Sequence, residues 1–273
     1  MLIDLHTHTC YGHGSNTVFE MFQAGKKQGL SVHGFSEHSP RPHGYDYTNE
    51  YRDHLNKHFQ NYIDEVTEIK QKNLETKVLL ALELDWFEDE PDFMQECAEK
   101  YPYDYLIAGI HFIKKWGFDD QASHWKNLLT KEKHAYYSAY YKTMIKMAES
   151  KLFHIVAHPD LIKIFSKESF EPWIKENKHL AEDALLACKE NGLCMEVSSA
   201  GLRKPCQEIY PCRTLMEIAE DIAIPLTFGS DGHCVHTIAK DLPKLHGYAK
   251  EYGFTEQHYF EKKKLLTAAL SYA

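Results

Sequence analysis

The chain has 273 residues, of which 43% are hydrophobic and 26% charged, and its formal net charge is -9. With no run of Lys or Arg longer than Lys262–Lys264, that balance disfavours a nucleic-acid polymer as partner. No stretch of about 18 apolar residues is present to form a membrane-spanning helix. The N-terminus enters a polar strand end directly, with no basic and apolar leader, and the seven cysteines form no CxxC pair. A cytoplasmic protein with reduced thiols is expected.

"LIDLH" reads as a first strand and "TVFEMFQAGKKQG" as a helix stopping at Gly29. "SVHGFSEH" is the second strand, followed by a helix from about Asn49 to Asn73. "KVLLALELDW" is a near-continuous apolar run of the kind buried in a parallel sheet. A short helix near Asp92 to Lys100 leads to "YDYLIAGIHF", and one long helix is expected from Ser123 to Ser150. "LFHIVAHPD" is strand five. A helix from Trp173 to Glu190 closes at Asn191-Gly192. "LCMEVSSAG" is strand six, a helix spans about Arg213 to Asp221, "IPLTFGSDGH" is strand seven, and the remaining C-terminal stretch is expected to be helical. Seven β–α units in alternation, without a Gly/Pro/Ser linker or repeat, predict one α/β domain over 1–273. The first turn lacks a dinucleotide-binding pattern, which favours a closed or distorted barrel over an open doubly wound sheet.

Of the 18 histidines, most need no role beyond an exposed helix face or a satisfied buried imidazole. A subset is different, because its members share a location. His6 and His8 end strand one, Glu37 and His38 strand two, Glu83 strand three, His111 strand four and His158 strand five. Glu196 lies in strand six, and Asp231 and His233 follow strand seven. The C-terminal rim of a parallel barrel is where its active site is built. On a strand, residues i and i+2 share a face, so His6 and His8 can chelate one ion. Imidazole with carboxylate and no thiolate suits a catalytic Zn, Mn or Fe site; Cys10 and Cys234 lie near the cluster as minor candidates.

The ordered segments "DLHTHTCYGHGS", "FSEHSP", "ALELDW", "AGIHF", "VAHPDL", "EVSSAGLRKP" and "FGSDGH" resemble the polymerase and histidinol phosphatase (PHP) superfamily, and within it the histidinol-phosphatase branch. The resemblance implies a distorted (β/α)7 barrel holding three divalent transition metals. One would take His6, His8, Glu83 and Asp231. Glu83 would bridge to a second with His111 and His158, and a third would take His13, His38 and His233. A hydroxide held between the ions would attack phosphorus in L-histidinol phosphate, releasing L-histidinol and phosphate.

Arg203 is the expected clamp on phosphoryl oxygens, with Lys204 beside it. Asp160 is the expected proton donor to the leaving group or orienter of a ligand, with a helix N-cap as the plain alternative. Glu37 and Glu196 could orient ligands. The far end of the substrate, an amine and an imidazole, could be met by Trp86, Phe118 and the Arg41, His43, Tyr45 loop. Another small phosphate ester, such as a mononucleotide, is the alternative substrate. A metal amidohydrolase leaves His13 and His38 unexplained, and a metal-binding regulatory module is disfavoured by the complete ligand set. Oligomeric state is open.

Overall fold

In the computed structural model, which describes residues 1–72 and 75–270, β1 (Ile3–Asp4) leads through the histidine-rich loop to α1 (Val18–Lys27). That helix starts where the sequence provides a capping box: Glu20 N–H donates to Thr17 Oγ1 at 3.2 Å, and Thr17 N–H to Glu20 Oε2 at 2.9 Å. After β2 (Val32–Phe35), α2 (Asn49–Gln71) buries the stripe Leu55, Phe59, Tyr62, Ile63, Val66 and Ile69, spaced for one helical face. The expected end of that helix at Asn73 lies outside the described residues.

Next come β3 (Lys77–Asp85), α3 (Pro91–Glu99) and β4 (Tyr105–Gly109). At His111 the chain leaves the sheet for a small hairpin, β5 (Phe112–Ile113) and β6 (Trp116–Gly117). The single long helix expected from Ser123 is two, α4 (Ser123–Lys126) and α5 (Thr130–Glu149). Strand β7 (Ile155–Val156) follows. The helix expected from Trp173 is likewise divided, into α6 (Lys167–Glu176) and α7 (Lys178–Glu190), with Asn177 between them. Strand β8 (Cys194–Ser198), α8 (Arg213–Ile222), β9 (Leu226–Gly229) and α9 (Leu242–Lys250) complete the alternation. Beyond Thr255 the helical expectation fails. Residues there form an antiparallel hairpin, β10 (Glu256–Glu261) and β11 (Lys264–Ala269).

The main sheet is parallel in the order β1-β2-β3-β4-β7-β8-β9. Its two ends meet: Leu5 N–H donates to the Phe228 carbonyl at 3.1 Å, and Thr7 pairs in parallel with Gly232. The result is the distorted seven-stranded α/β barrel. Along β3, Leu80, Leu82 and Leu84 pack outward among the helices, whereas Leu79 and Ala81 join an inner cluster with Ile107, Ile155 and Phe260. Phe260 comes from the C-terminal hairpin, so the hairpin plugs the N-terminal end of the barrel. That leaves the opposite end open, and it is there that Glu83 and Asp85, on the inner face of the same strand, emerge.

Candidate metal centre

All nine residues expected as ligands converge on the C-terminal mouth. His6 and His8 are fully buried and share a face, while Thr7 between them turns away to donate to the Gly34 carbonyl at 2.9 Å. Glu83 stands at the centre. Its Oε2 lies 3.4 Å from His6 Nε2, 3.5 Å from His8 Nε2 and 2.9 Å from His38 Nδ1. Its Oε1 lies 3.2 Å from His158 Nε2 and 3.7 Å from His111 Nε2. Asp231 Oδ1 approaches His8 Nε2 at 3.2 Å and His233 Nδ1 at 3.4 Å. His13 reaches over from the loop, its ring centroid 4.1 Å from that of His233 and 4.9 Å from that of His38.

Three imidazoles are oriented from behind by a carboxylate. His6 Nδ1 lies 2.7 Å from Glu196 Oε1, His8 Nδ1 3.2 Å from Glu37 Oε1, and His111 Nδ1 2.7 Å from Asp85 Oδ1. With Nδ1–H donating rearward, each Nε2 lone pair faces the basin, the arrangement metal-ligating histidines use. The orienting carboxylates are themselves pinned: Glu37 accepts from Thr9 N–H at 2.8 Å and Thr9 Oγ1 at 2.6 Å, and Glu196 Oε2 from His158 N–H at 2.8 Å. Glu37 and Glu196 thus orient the imidazoles of His8 and His6. Asp85 was not singled out, although its i+2 relation to Glu83 on one strand was a usable signal.

The buried atoms His6 Nε2, His8 Nε2, both ring nitrogens of His38, Glu83 Oε2 and His233 Nε2 have no hydrogen-bond partner among the described residues. Buried polar atoms are normally satisfied; these cluster at the barrel mouth around Glu83 and Asp231, and bound cations would satisfy donor atoms there. Three overlapping trios have donor atoms within 4.8 Å of one another: His6, His8 and Asp231; His6, Glu83 and His158; His8, His38 and His233. The electrostatics agree. Burial opposes charging of His8, yet the adjacent carboxylates of Asp231 and Glu37 outweigh that and raise it to about 9. His111 is likewise raised to about 9 against burial, by Asp85 and Glu83. Burial pushes Glu83 up, but the surrounding imidazoles hold it well below the usual carboxylate range. Without metal, His8 and His111 hold protons that a divalent ion would displace, whereas burial pushes His13 and His233 down to about 3 and leaves them neutral. His158 (φ 26°) and Asp231 (φ 49°) both sit in left-handed backbone, strain of the kind found at functional sites.

The basin floors a cavity of about 310 Å³ whose wall includes Tyr47, Tyr51, Asp119, Asp120, Lys204 and Tyr210. Several expectations for substrate contacts change here. Arg203 is not in the cavity lining: its guanidinium donates to the Ser230 carbonyl, to the Asp231 carbonyl at 3.3 Å and to Ser199 Oγ at 3.2 Å. These bonds brace the loop that carries Asp231. Asp160 is fully buried, with Oδ2 accepting from Lys163 Nζ and from Cys212 N–H, each at 2.7 Å, and it makes no side-chain helix cap. His43 is exposed outside the cavity, and Trp86, Phe118 and Tyr45 belong to the core. Lys204 is where the sequence placed it. Tyr47, Tyr51, Asp119, Asp120 and Tyr210 were missed, because no periodicity marks a residue that loop packing carries to a cavity.

A parallel barrel with an imidazole–carboxylate basin at its C-terminal mouth defines a divalent-metal-binding barrel protein. The chain belongs to the PHP domain family, whose model matches residues 4–200. A Deinococcus radiodurans protein named "Probable histidinol-phosphatase" is 32% identical over 234 residues, covering 85% of this chain and 86% of its own. The histidinol-phosphatase of Bacillus subtilis is 26% identical over 249 residues, covering 84% and 92%. The crystal structure of histidinol phosphate phosphatase from Lactococcus lactis, complexed with zinc, L-histidinol and phosphate, shares the fold, with a TM-score of 0.76 at 18% identity and coverage of 97% and 98%. No helix among the described residues is long and apolar enough to cross a membrane.

Proposed function

We propose that this chain is a metal-dependent, cytoplasmic phosphomonoesterase that hydrolyses L-histidinol phosphate to L-histidinol and phosphate. The observation that carries this reading is one cavity with two chemically opposite regions. Its floor is the ligand basin, and its wall presents Asp119 and Asp120 beside the aromatic rings of Tyr47 and Tyr51. A substrate bearing a phosphate at one end and cationic nitrogens at the other fits that polarity. The names of the relatives from Deinococcus radiodurans and Bacillus subtilis support the same substrate.

Three divalent ions of Zn, Mn or Fe type are proposed. His6, His8, Glu83 and Asp231 would hold the first, Glu83, His111 and His158 the second, and His13, His38 and His233 the third. Bound there, such ions supply Lewis acidity toward phosphoryl oxygens and make water a nucleophile near neutral pH. The chain's other residues orient and bind. Lys204 offers an ammonium to the phosphate from the cavity edge. Tyr47 OH donates to Asp119 Oδ1 at 2.7 Å, fixing a carboxylate that can accept from the substrate's amine or imidazolium. Arg203 braces the loop that carries Asp231, and Asp160 ties the segment after His158 to Cys212.

The test is kcat/KM for L-histidinol phosphate against p-nitrophenyl phosphate and mononucleotides, on protein of known zinc content. Two charge-assisted contacts to the substrate's far end would favour L-histidinol phosphate about 100-fold. Equal rates across the panel would shift the assignment to another small phosphate ester. No turnover with zinc bound would overturn the enzymatic reading.

A further inference from the structure

Arg41 lies in the loop after β2, between two prolines, and is buried to 1% exposure. Its backbone is clipped to α2 from both sides: Arg41 N–H donates to Asn56 Oδ1 at 2.9 Å, and Asn56 Nδ2 donates to the Arg41 carbonyl at 3.1 Å. The guanidinium therefore enters the interior from a fixed stem. There Nη2 forms an ion pair with Asp85 Oδ2 at 2.7 Å. The other oxygen of the same carboxylate is the one that faces His111 Nδ1 at 2.7 Å. The guanidinium carbon also sits 4.6 Å from the ring centroid of Tyr47 and 5.1 Å from that of Tyr51, both cavity-wall residues, and 5.2 Å from that of Phe112.

As a packing element this arrangement is a poor choice. Desolvating a guanidinium and a carboxylate can exceed what their attraction returns, and an apolar pair of similar volume often packs as well or better. Two guanidinium nitrogens, Nε and Nη1, have no hydrogen-bond partner among the described residues. What the pair does provide is direction. Asp85 uses one oxygen for the guanidinium and one for the imidazole, so its carboxylate plane is set from both ends. With the Asp85 carboxylate fixed, His111 keeps Nδ1–H rearward and Nε2 toward Glu83. The same cation stacks against two rings of the substrate wall.

We infer that Arg41 is a positioning residue for the metal centre: through Asp85 it fixes the His111 imidazole, and through its stacking it ties that ligand to the Tyr47–Tyr51 wall. The inference rests on the metal-centre reading above. It concerns a residue that touches neither metal nor phosphate, and its effect is on ligand orientation.

The experiment is zinc binding to metal-stripped protein, read by competition with a chromophoric chelator, for wild type, R41Q, R41K, H111A and the double variants R41Q/H111A and R41K/H111A. In R41Q one class of zinc is expected to weaken about 10- to 100-fold, the usual consequence of losing an outer-shell partner. R41K, which keeps the charge but not the planar fork, is expected to fall between R41Q and wild type. In the H111A background, either Arg41 substitution is expected to have no further effect on zinc. A folded R41Q with wild-type zinc affinity overturns the inference, as does an undiminished effect of Arg41 substitution when His111 is already absent. If R41Q does not fold, R41K and its double variant carry the test by the same two criteria. Wild-type protein that binds no zinc overturns the metal-centre reading itself, whereas zinc-binding wild type with indifferent Arg41 variants overturns only the role of Arg41.

Discussion

Gly229, the last residue of β9, tests whether the basin is as tightly built as its distances indicate. A Cβ placed on Gly229 would fall 2.3 Å from Glu196 Oε1 and 2.6 Å from His6 Cβ. Neither neighbour can retreat cheaply. Glu196 is held at both oxygens, by His6 Nδ1 and by His158 N–H, and His6 sits where β9 closes onto the first strand. Gly229→Ala therefore adds overpacking, about 1–3 kcal/mol, to the loss of a buried charge-assisted hydrogen bond, about 1.5–3 kcal/mol. A total of about 2.5–6 kcal/mol would lower Tm by roughly 5–24 °C at this chain length. His6 released from Glu196 is also expected to weaken zinc about 10- to 100-fold. The assays are thermal unfolding of metal-stripped protein and zinc competition. Gly247→Ala serves as control: that glycine lies within α9 with nothing near its Cβ position, and alanine there should stabilise by about 0.5–1 kcal/mol. If Gly229→Ala matched wild type in both Tm and zinc affinity, the idea of a rigid carboxylate-braced basin would be wrong.

Glu83→Ala is expected to lower bound zinc and turnover together, because five imidazoles face that one carboxylate; unchanged zinc content would refute its bridging role. Arg203→Ala is expected to reduce zinc content as well as rate, since its guanidinium braces the Asp231 loop; intact zinc with only a raised KM would restore it as a phosphate clamp. For Asp119→Asn, kcat/KM for L-histidinol phosphate should fall about tenfold, one charge-assisted contact, with p-nitrophenyl phosphate unaffected; equal losses on both substrates would count against a cationic subsite. Metal-stripped protein should lose stability as pH rises from about 6.5 through about 9, because His8 and His111 titrate near 9 when folded and near 6.5 when unfolded. Protonation of the folded form stabilises fully below the lower value and is lost through the upper one. A Tm that climbed over this range would refute that electrostatic picture.

The convergence of the candidate ligands was legible because strand ends of a parallel barrel meet at one mouth, whatever their spacing in sequence. His-x-His gave its geometry from the two-residue period alone, and Glu83 stood out as a carboxylate in an apolar run. Loop residues offered no such rule. Asp119 and Tyr47 reach the cavity because the β5–β6 hairpin packs against the loop before α2; a Cβ on Gly117 would fall 2.6 Å from the Tyr47 ring. The C-terminal hairpin was hidden by composition. "KKLLTAA" favours helix locally, and the turn residues Lys262 and Lys263, at φ 50° and 64°, lack the Asn or Gly that normally marks such a turn. Burial of Phe260 in the barrel overrides the local preference. Arg203 differs for another reason: a cation beside a rim reads as a clamp, whereas here both terminal guanidinium nitrogens bond Ser199 and the loop that carries Asp231.

The seam between the first and last barrel strands gives the metal a second consequence. Asp4 accepts from Ser230 N–H at 2.9 Å and from Ser230 Oγ at 2.6 Å, joining residues 226 positions apart. Candidate ligands stand on both sides of that seam, His6 and His8 on one and Asp231 and His233 on the other. An ion shared across it would act as a removable cross-link between distant parts of the chain. At a thousand times its dissociation constant such a ligand adds about 4 kcal/mol to the folded state. Amide exchange at Leu5 and Gly232 should then slow sharply when zinc is added, while exchange within α7 changes only with global stability. Metal supply would thereby set the lifetime of the polypeptide as well as its turnover.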